Sequence, residues 1–225
     1  MLLLAVKSCE QDARSGFHQI IRNTWGRDVQ GPDLKFFVGR GRMQLQPDEV
    51  RVDCQDDYMS LPQKTKAICR WTLERDCDFM FLCDTDTYVI PDRLLSSRFE
   101  HYDLTGHFNG PIGVPDAREG KYWAWISGGN GYWLSRRAAQ IVADAPDDGE
   151  WAEDRMVGQV LGPYFHRGEL KAFHHDGYEY ARSGDGSNEW ITRVTSHFCV
   201  GNSKRRAHLP EWMHSKYAYN VGRIA

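Results

Sequence analysis

The chain has 225 residues, with 28 Lys and Arg against 31 Asp and Glu, a formal charge of −3, and 41% hydrophobic residues. That length can bury a core large enough to fold without disulfide or metal staples. The balance excludes a disordered chain and a generally basic nucleic-acid binder.

The apolar start, residues 1–6, ends at Lys7. It is too short for a membrane span and has no charged leader ahead of it. Residues 2–7 read as a first buried strand, followed by a polar turn. Phe17, Ile20, Ile21 and Trp25 then recur at helical spacing, and Gly26 and Gly31-Pro32 stop that helix. Residues 35–39 and 50–52 are short strands. Residues 61–73 form a helix with Pro62 in its first turn, where the missing N–H costs nothing. Ala67, Ile68, Trp71 and Leu73 supply its apolar face. Residues 79–83 are a continuous apolar run, the pattern of a central strand buried on both faces. This alternation predicts an α/β sheet covered by helices.

The second half is less regular. Residues 122–131 are aromatic and then glycine-rich. Helices are predicted over 135–143, 153–161 and 210–217, and strands over 171–174 and 192–200. Residues 177–188 read as a loop. With no repeat and no linker, a single domain over 1–225 is expected, divided into halves at 1–110 and 111–225. None of the six cysteines forms a C-x-x-C pair, so reduced thiols are expected rather than a zinc ribbon. No targeting segment is expected ahead of the first strand. A cytoplasmic setting is therefore expected, or the Golgi lumen if the chain is a trimmed form.

Four segments carry the chemistry. Asp84-Thr85-Asp86 directly follows the buried strand. Ligands of open α/β sheets bind at such strand ends. Two carboxylates there repel unless a cation joins them, and oxygen ligands suit Mg²⁺ or Mn²⁺. Trp123 to Ser135 combines stackable aromatics with Gly128, Gly129 and Gly131, which permit close backbone approach. Glu153-Asp154 opens a helix, where carboxylates also serve as ordinary caps. Arg22-Asn23-Thr24-Trp25-Gly26 closes one. No phosphate-loop motif occurs.

Taken in order, these segments resemble the beta-1,3-galactosyltransferase and Fringe-like family of GT-A glycosyltransferases. The likeness rests on Ile21-Arg22-Asn23-Thr24-Trp25-Gly26 and on Asp53 to Thr65. Asp84 to Val89, Gly129-Asn130-Gly131-Tyr132-Trp133-Leu134-Ser135 and Glu153 to Gly158 complete it. Thr85 stands where the family has a middle Asp. Ser60-Leu61-Pro62 replaces Asn-Leu-Thr, and Arg155 replaces Val.

The resemblance implies a GT-A fold, a Rossmann-like α/β domain with a mostly parallel sheet. It implies an inverting, metal-dependent hexosyltransferase moving Gal, GlcNAc or Glc from a UDP-sugar to an acceptor hydroxyl. Asp84 and Asp86 would hold Mn²⁺ (or Mg²⁺) with His197, or with His174 or His175 in its place. Asp154 would be the general base, with Glu153 orienting its loop or touching the acceptor. Ser8 would lie near the uracil or ribose, Arg22 would contact uridine or phosphate, and Asp56 or Asp57 would help hold the nucleotide. Thr85, and less specifically Lys64, would line the donor pocket. Trp123, Trp125, Gly128 and Gly129 would wall the donor sugar, and 177–188 would be an acceptor-side lid. The acceptor would be a glycan, glycolipid or small molecule. Two alternatives stand beside this reading. One is a phage-type enzyme acting on a modified DNA base through Lys204-Arg205-Arg206 and Arg193. The other is a non-catalytic nucleotide-sugar-binding module.

Overall fold

The computed structural model describes residues 1–116, 120–123, 125–180, 193–197 and 210–215. The opening strand β1 (Leu2–Lys7) pairs in parallel with β2 (Asp33–Val38) on one side and β4 (Phe79–Asp84) on the other. Strand β3 (Glu49–Arg51) extends the sheet beyond β2. On the far side lie β9 (Tyr132–Ser135), β6 (Leu104–Gly106) and β10 (Ala172–His174). The seven strands run in the order β10-β6-β9-β4-β1-β2-β3, and β9 alone is antiparallel to its neighbours. The sheet thus draws strands from both halves of the chain.

Side chains of a strand alternate between faces, so a strand buried on both faces must be apolar at every position. β1 and β4 satisfy this up to their last residues, Lys7 and Asp84. Leu3, Ala5, Met80 and Leu82 enter one core with Ile68 and Cys69 of α3 (Leu61–Leu73), Ala138 and Val142 of α5 (Arg136–Asp144), and Val157 and Leu161 of α6 (Glu153–His166). Leu4, Val6, Phe81 and Cys83 enter the other, with Ile21 of α2 (Phe17–Asn23), Trp25, Phe99 and Trp133. Phe99 and Trp133 stack at 3.7 Å between centroids. Each fully buried side chain of this size contributes about 1.5–3 kcal/mol.

Strand order reverses between β1 and β4. Chain from β1 leads through α1 (Glu10–Arg14) and α2 to β2, whereas β4 is reached through α3 from β3. The crevice at the carboxyl ends of β1 and β4 is therefore the topological switch point, where open α/β sheets bind ligands. A second sheet, β11 (Tyr178–Tyr180), β12 (Thr195–His197) and β5 (Thr87–Val89), stands beside that crevice. Helix α4 (Pro91–Leu95) follows β5, and β7 (Val114–Asp116) pairs antiparallel with β8 (Lys121–Trp123).

Several elements differ from expectation. The polar turn after β1 is the helix α1, because Cys9 caps it by accepting from the Asp12 N–H. Strand β9 was hidden in the glycine-rich motif, since its four residues sit between two partners rather than alternating. Residues 178–180 of the expected loop pair with β12, while 181–188 lie outside the described residues. The strand expected over 192–200 is narrowed to Thr195–His197 among the described residues, and helix is seen over 210–215. Cys9, Cys54, Cys69, Cys77 and Cys83 are free thiols, and Cys199 lies outside the described residues. No described helix is long and apolar enough to cross a membrane.

Candidate active site at the switch point

Lys7 ends β1 with its side chain buried between two acids that approach from different parts of the chain. Its Nζ lies 2.7 Å from Glu153 Oε2 and 3.4 Å from Asp84 Oδ1. Burial alone would lower the ammonium pKa, but Asp84 and Glu153 outweigh that and hold it above the usual lysine value. Glu153 also accepts from Thr65 Oγ1 at 3.1 Å and from the Tyr132 hydroxyl. The sequence showed Lys7 only as the end of an apolar run. Its role arises because β1 and β4 are in register at Lys7 and Asp84 while the start of α6 packs over both.

Asp84, Asp86 and His197 each offer a ligand atom, and the three atoms lie within 4.8 Å of one another. Asp84 ends β4 and Asp86 occupies the following turn. His197 reaches them because β12 pairs antiparallel with β5, setting His197 opposite Thr87. Its Nε2 is 3.2 Å from Asp86 Oδ1. Burial pulls the imidazole down, but the bond and charge of Asp86 carry it above the ordinary histidine value. Burial pushes the Asp84 carboxyl upward against the opposing pull of Lys7. Two carboxylates and one imidazole at this spacing are a fitting donor set for a divalent cation such as Mn²⁺ or Mg²⁺. Neither His174 nor His175 joins them. His174 is bonded to Asp176 through Nε2 and accepts from the Phe108 N–H, and His175 Nδ1 accepts from the Gly177 N–H.

The 3₁₀ turn Gly128–Asn130 separates this cluster from Asp154. Thr87 and Thr195 anchor it by donating to Gly129 O and Asn130 O. A Cβ on Gly128 would approach Asp154 Cβ and Glu153 Oε2 to 3.0 Å, and one on Gly129 would come within 2.3 Å of the His197 ring. Both glycines are required by close packing against site residues. Gly129→Ala is therefore expected to push His197 aside and weaken Mn²⁺ binding about 10-fold or more, as displaced ligand support does elsewhere. Titration of Mn²⁺ into the variant checks this, and wild-type affinity would mean that His197 is not a ligand.

Asp154 lies in the first turn of α6. Its Oδ2 accepts from the Gly128 N–H at 3.2 Å and Trp125 Nε1 at 3.4 Å, and its Oδ1 from the Arg155 N–H at 2.8 Å. Burial, and then the charge of Glu153, raise its pKa above the ordinary aspartate value. A partly buried carboxylate with a raised pKa is suited to accept a proton. Trp125, 44% exposed, stands beside this carboxylate. The side chain of Trp123 lies outside the described residues.

Other expected site residues are engaged by protein partners. Glu153 is buried and bonded to Lys7, Thr65 and Tyr132 at the start of α6. Arg22, expected at the nucleotide, is held by protein partners. Its guanidinium binds Asp48 at 2.7 and 2.8 Å and Glu49 at 2.8 Å, and lies over the Phe36 ring. Asp56 is likewise occupied by the protein, accepting from the Gly39 N–H, the Glu10 N–H and Lys64 Nζ. Asp57 is exposed and caps residues 58–60 through the Ser60 N–H. Lys64 is buried and donates to Ser8 O and Asp56, pinning the loop after β1. Ser8 and Thr85 remain at the crevice. Thr85 Oγ1 donates to Asp12 Oδ2 at 2.7 Å, which brings in a carboxylate that no motif had singled out. Lys204, Arg205 and Arg206 lie outside the described residues, and Arg193 contacts Asp176 O.

No family model matches the chain, and no curated protein matches it in sequence. Solved structures do. The crystal structure of a glycosyltransferase involved in glycosylation of the major capsid of PBCV-1 superposes with a TM-score of 0.54 at 10% identity, covering 93% of this chain and 99% of that one. The galactosyltransferase LgtC in complex with donor and acceptor sugar analogs gives 0.49 at 12% identity, over 94% of this chain and 96% of that one. A putative nucleotide-diphospho-sugar transferase from Desulfovibrio desulfuricans G20 gives 0.45 at 17% identity, over 77% and 78%. At such identities the likeness is one of architecture. With its mostly parallel seven-stranded sheet flanked by helices, this chain has the GT-A glycosyltransferase fold.

Proposed function

We propose that this protein is a metal-dependent glycosyltransferase that moves a hexose from a UDP-sugar to the hydroxyl of a glycan, glycolipid or small-molecule acceptor, with inversion. The sequence motifs, which occur in the family's order, support kinship with the beta-1,3-galactosyltransferase and Fringe-like enzymes. The observation that carries the reading is the juxtaposition at the switch point. Asp84, Asp86 and His197 cluster on one side of the Gly128–Asn130 turn, and Asp154 lies on the other. This also argues against a non-catalytic binding module.

Asp84, Asp86 and His197 would hold Mn²⁺ or Mg²⁺, which neutralises charge on a departing diphosphate. Asp154 takes the proton of the acceptor hydroxyl as its oxygen bonds to the anomeric carbon. The bond from that carbon to the phosphate oxygen breaks, and UDP leaves with the electron pair. The Lys7–Glu153 pair joins the end of β1 to the start of α6, where Asp154 lies. On this reading residues 1–110 chiefly serve the donor and 111–225 the acceptor, and Lys7 and Glu153 come one from each half.

The test is hydrolysis and transfer from UDP-Gal, UDP-GlcNAc and UDP-Glc by the full chain with Mn²⁺, with and without chelator. One donor should be turned over, only with metal, and Asp86→Ala should lower that rate about 100-fold or more. Turnover that persists in chelator would refute the metal assignment. No turnover of any donor would return the chain to the binding-module reading.

A further inference from the structure

We infer that Tyr58 and Trp151 form an aromatic platform that seats a pyranose ring of the acceptor, so that the acceptor is a saccharide chain and not a lone small molecule or a nucleic-acid base. This rests on the glycosyltransferase reading above and names the acceptor class for it.

Large apolar side chains left in water are informative where they gather. Tyr58 is 68% exposed, Met59 61% and Trp151 52%. The two rings come from distant parts of the chain, yet their centroids lie 6.2 Å apart at 43°. Tyr58 opens the turn 58–60 that leads into α3, and Trp151 stands just ahead of α6. The packing of these two helix starts brings the rings together. Thr65 of α3 donates to Glu153 of α6 at 3.1 Å. Gln63 Nε2 donates to Asp147 Oδ2 at 2.9 Å, and Lys66 Nζ to Pro146 O at 2.8 Å, so α3 braces the segment that leads to Trp151. The rings thus stand on a fixed backbone with much of their surface in water.

Their place relates them to the proposed base. Strand β3 runs parallel to β2 and leads into α3, so the start of α3 lies on the carboxyl rim of the sheet, the rim that carries the switch point. Trp151 is three residues ahead of Asp154. Three residues span at most about 11 Å, so the platform begins within the length of a short saccharide from Asp154.

The chemistry of the patch selects its occupant. A pyranose presents C–H groups on its face and hydroxyls around its edge. The negative face of an aromatic ring attracts those C–H groups. Asp57 and Glu150 directly precede the two rings, and exposed Asp147 and Asp148 lie on the braced segment. Carboxylates accept from hydroxyls. They repel the phosphates of a nucleic acid or of an anionic membrane surface. The neighbouring cations Lys121 and Arg155 are paired with Asp148 at 3.5 Å and Glu150 at 3.4 Å. Two such rings cover about 300–500 Å², short of the ~800 Å² per partner of a stable protein interface. A saccharide ring matches the patch in size, charge and hydrogen bonding.

Binding of the full chain to an array of neutral hexose and N-acetylhexosamine oligosaccharides, with Mn²⁺ and UDP present, tests this. Wild type should bind at least one saccharide, and Trp151→Ala and Tyr58→Ala should each weaken that binding about 10-fold or more. Trp151→Phe and Tyr58→Phe keep a ring and should stay within about threefold of wild type. Both rings are exposed, so the urea midpoints of all four variants should match wild type. No saccharide bound, or wild-type affinity in both alanine variants, overturns the platform. So does binding to phosphatidylcholine–phosphatidylserine vesicles that Trp151→Ala abolishes, which would make the rings a membrane contact. Calorimetry of UDP and Mn²⁺ on wild type separates this inference from the donor reading. UDP bound with no saccharide bound overturns the platform alone. Saccharide bound through the rings with no UDP bound overturns the donor reading and leaves a saccharide-binding surface.

Discussion

Asp154→Asn is expected to reduce sugar transfer about 1,000-fold while leaving UDP affinity within about twofold, because general-base catalysis contributes roughly 10²–10⁴. Asparagine is nearly the same size, and its carbonyl can still accept from the Gly128 N–H. What it loses is the ability to take a proton. The carboxyl pKa is raised by burial and by Glu153, and the base must be ionised to act. Wild-type kcat/KM should therefore rise with pH through a limb that lies above the usual aspartate pKa, and fall away below it. The variant's residual rate should lack that limb. Steady-state transfer assays across pH, paired with calorimetric UDP binding, check both halves. Loss of UDP binding in Asp154→Asn would make the residue structural.

Lys7→Met is expected to destabilise the fold by about 3–5 kcal/mol, the range for removing one partner of a buried ion pair. Methionine fills a similar volume, so the loss is not a cavity effect. It leaves Glu153 and Asp84 without their shared cation in a site where Lys7 is 3% exposed. Urea unfolding in the presence of chelator measures it, so that no added metal replaces the lost charge. Adding Glu153→Gln to Lys7→Met should recover part of the stability, because one stranded charge is gone. A cost below about 1 kcal/mol, or no recovery in the double variant, would mean that the pair is not a structural link. In the proposed mechanism the pair ties the end of β1 to the residue just before Asp154.

The comparison of sequence with structure turns on a few residues. Strands β1 and β4 and helix α3 were legible because long apolar runs and 3.6-residue spacing leave few alternatives. Asp84, Asp86, His197 and Asp154 were singled out, and the structure brings the first three into one cluster with Asp154 across a turn. Arg22, Asp56 and Glu153 were legible as charged residues inside motifs, but not as residues with protein partners already in place. A charge in a motif looks the same whether it faces a ligand or an ion pair. Asp12 had no signal at all, since a lone acid in a polar stretch is common.

The amino-acid order alone determined the α/β class, the central strands and the carboxylates at a strand end. These follow from local periodicity and from residue chemistry, which do not depend on distant partners. Tertiary structure decided which charges are available. Pairing of β1 with β4 and the packing of α6 above them put Lys7 between Asp84 and Glu153. The pairing of β12 with β5 brought His197 to Asp86 across 111 positions of sequence, 197 − 86. Electrostatic attraction and hydrogen bonding act over a few ångströms in space, so a net charge of −3 could not reveal an acidic centre with a buried lysine at its middle.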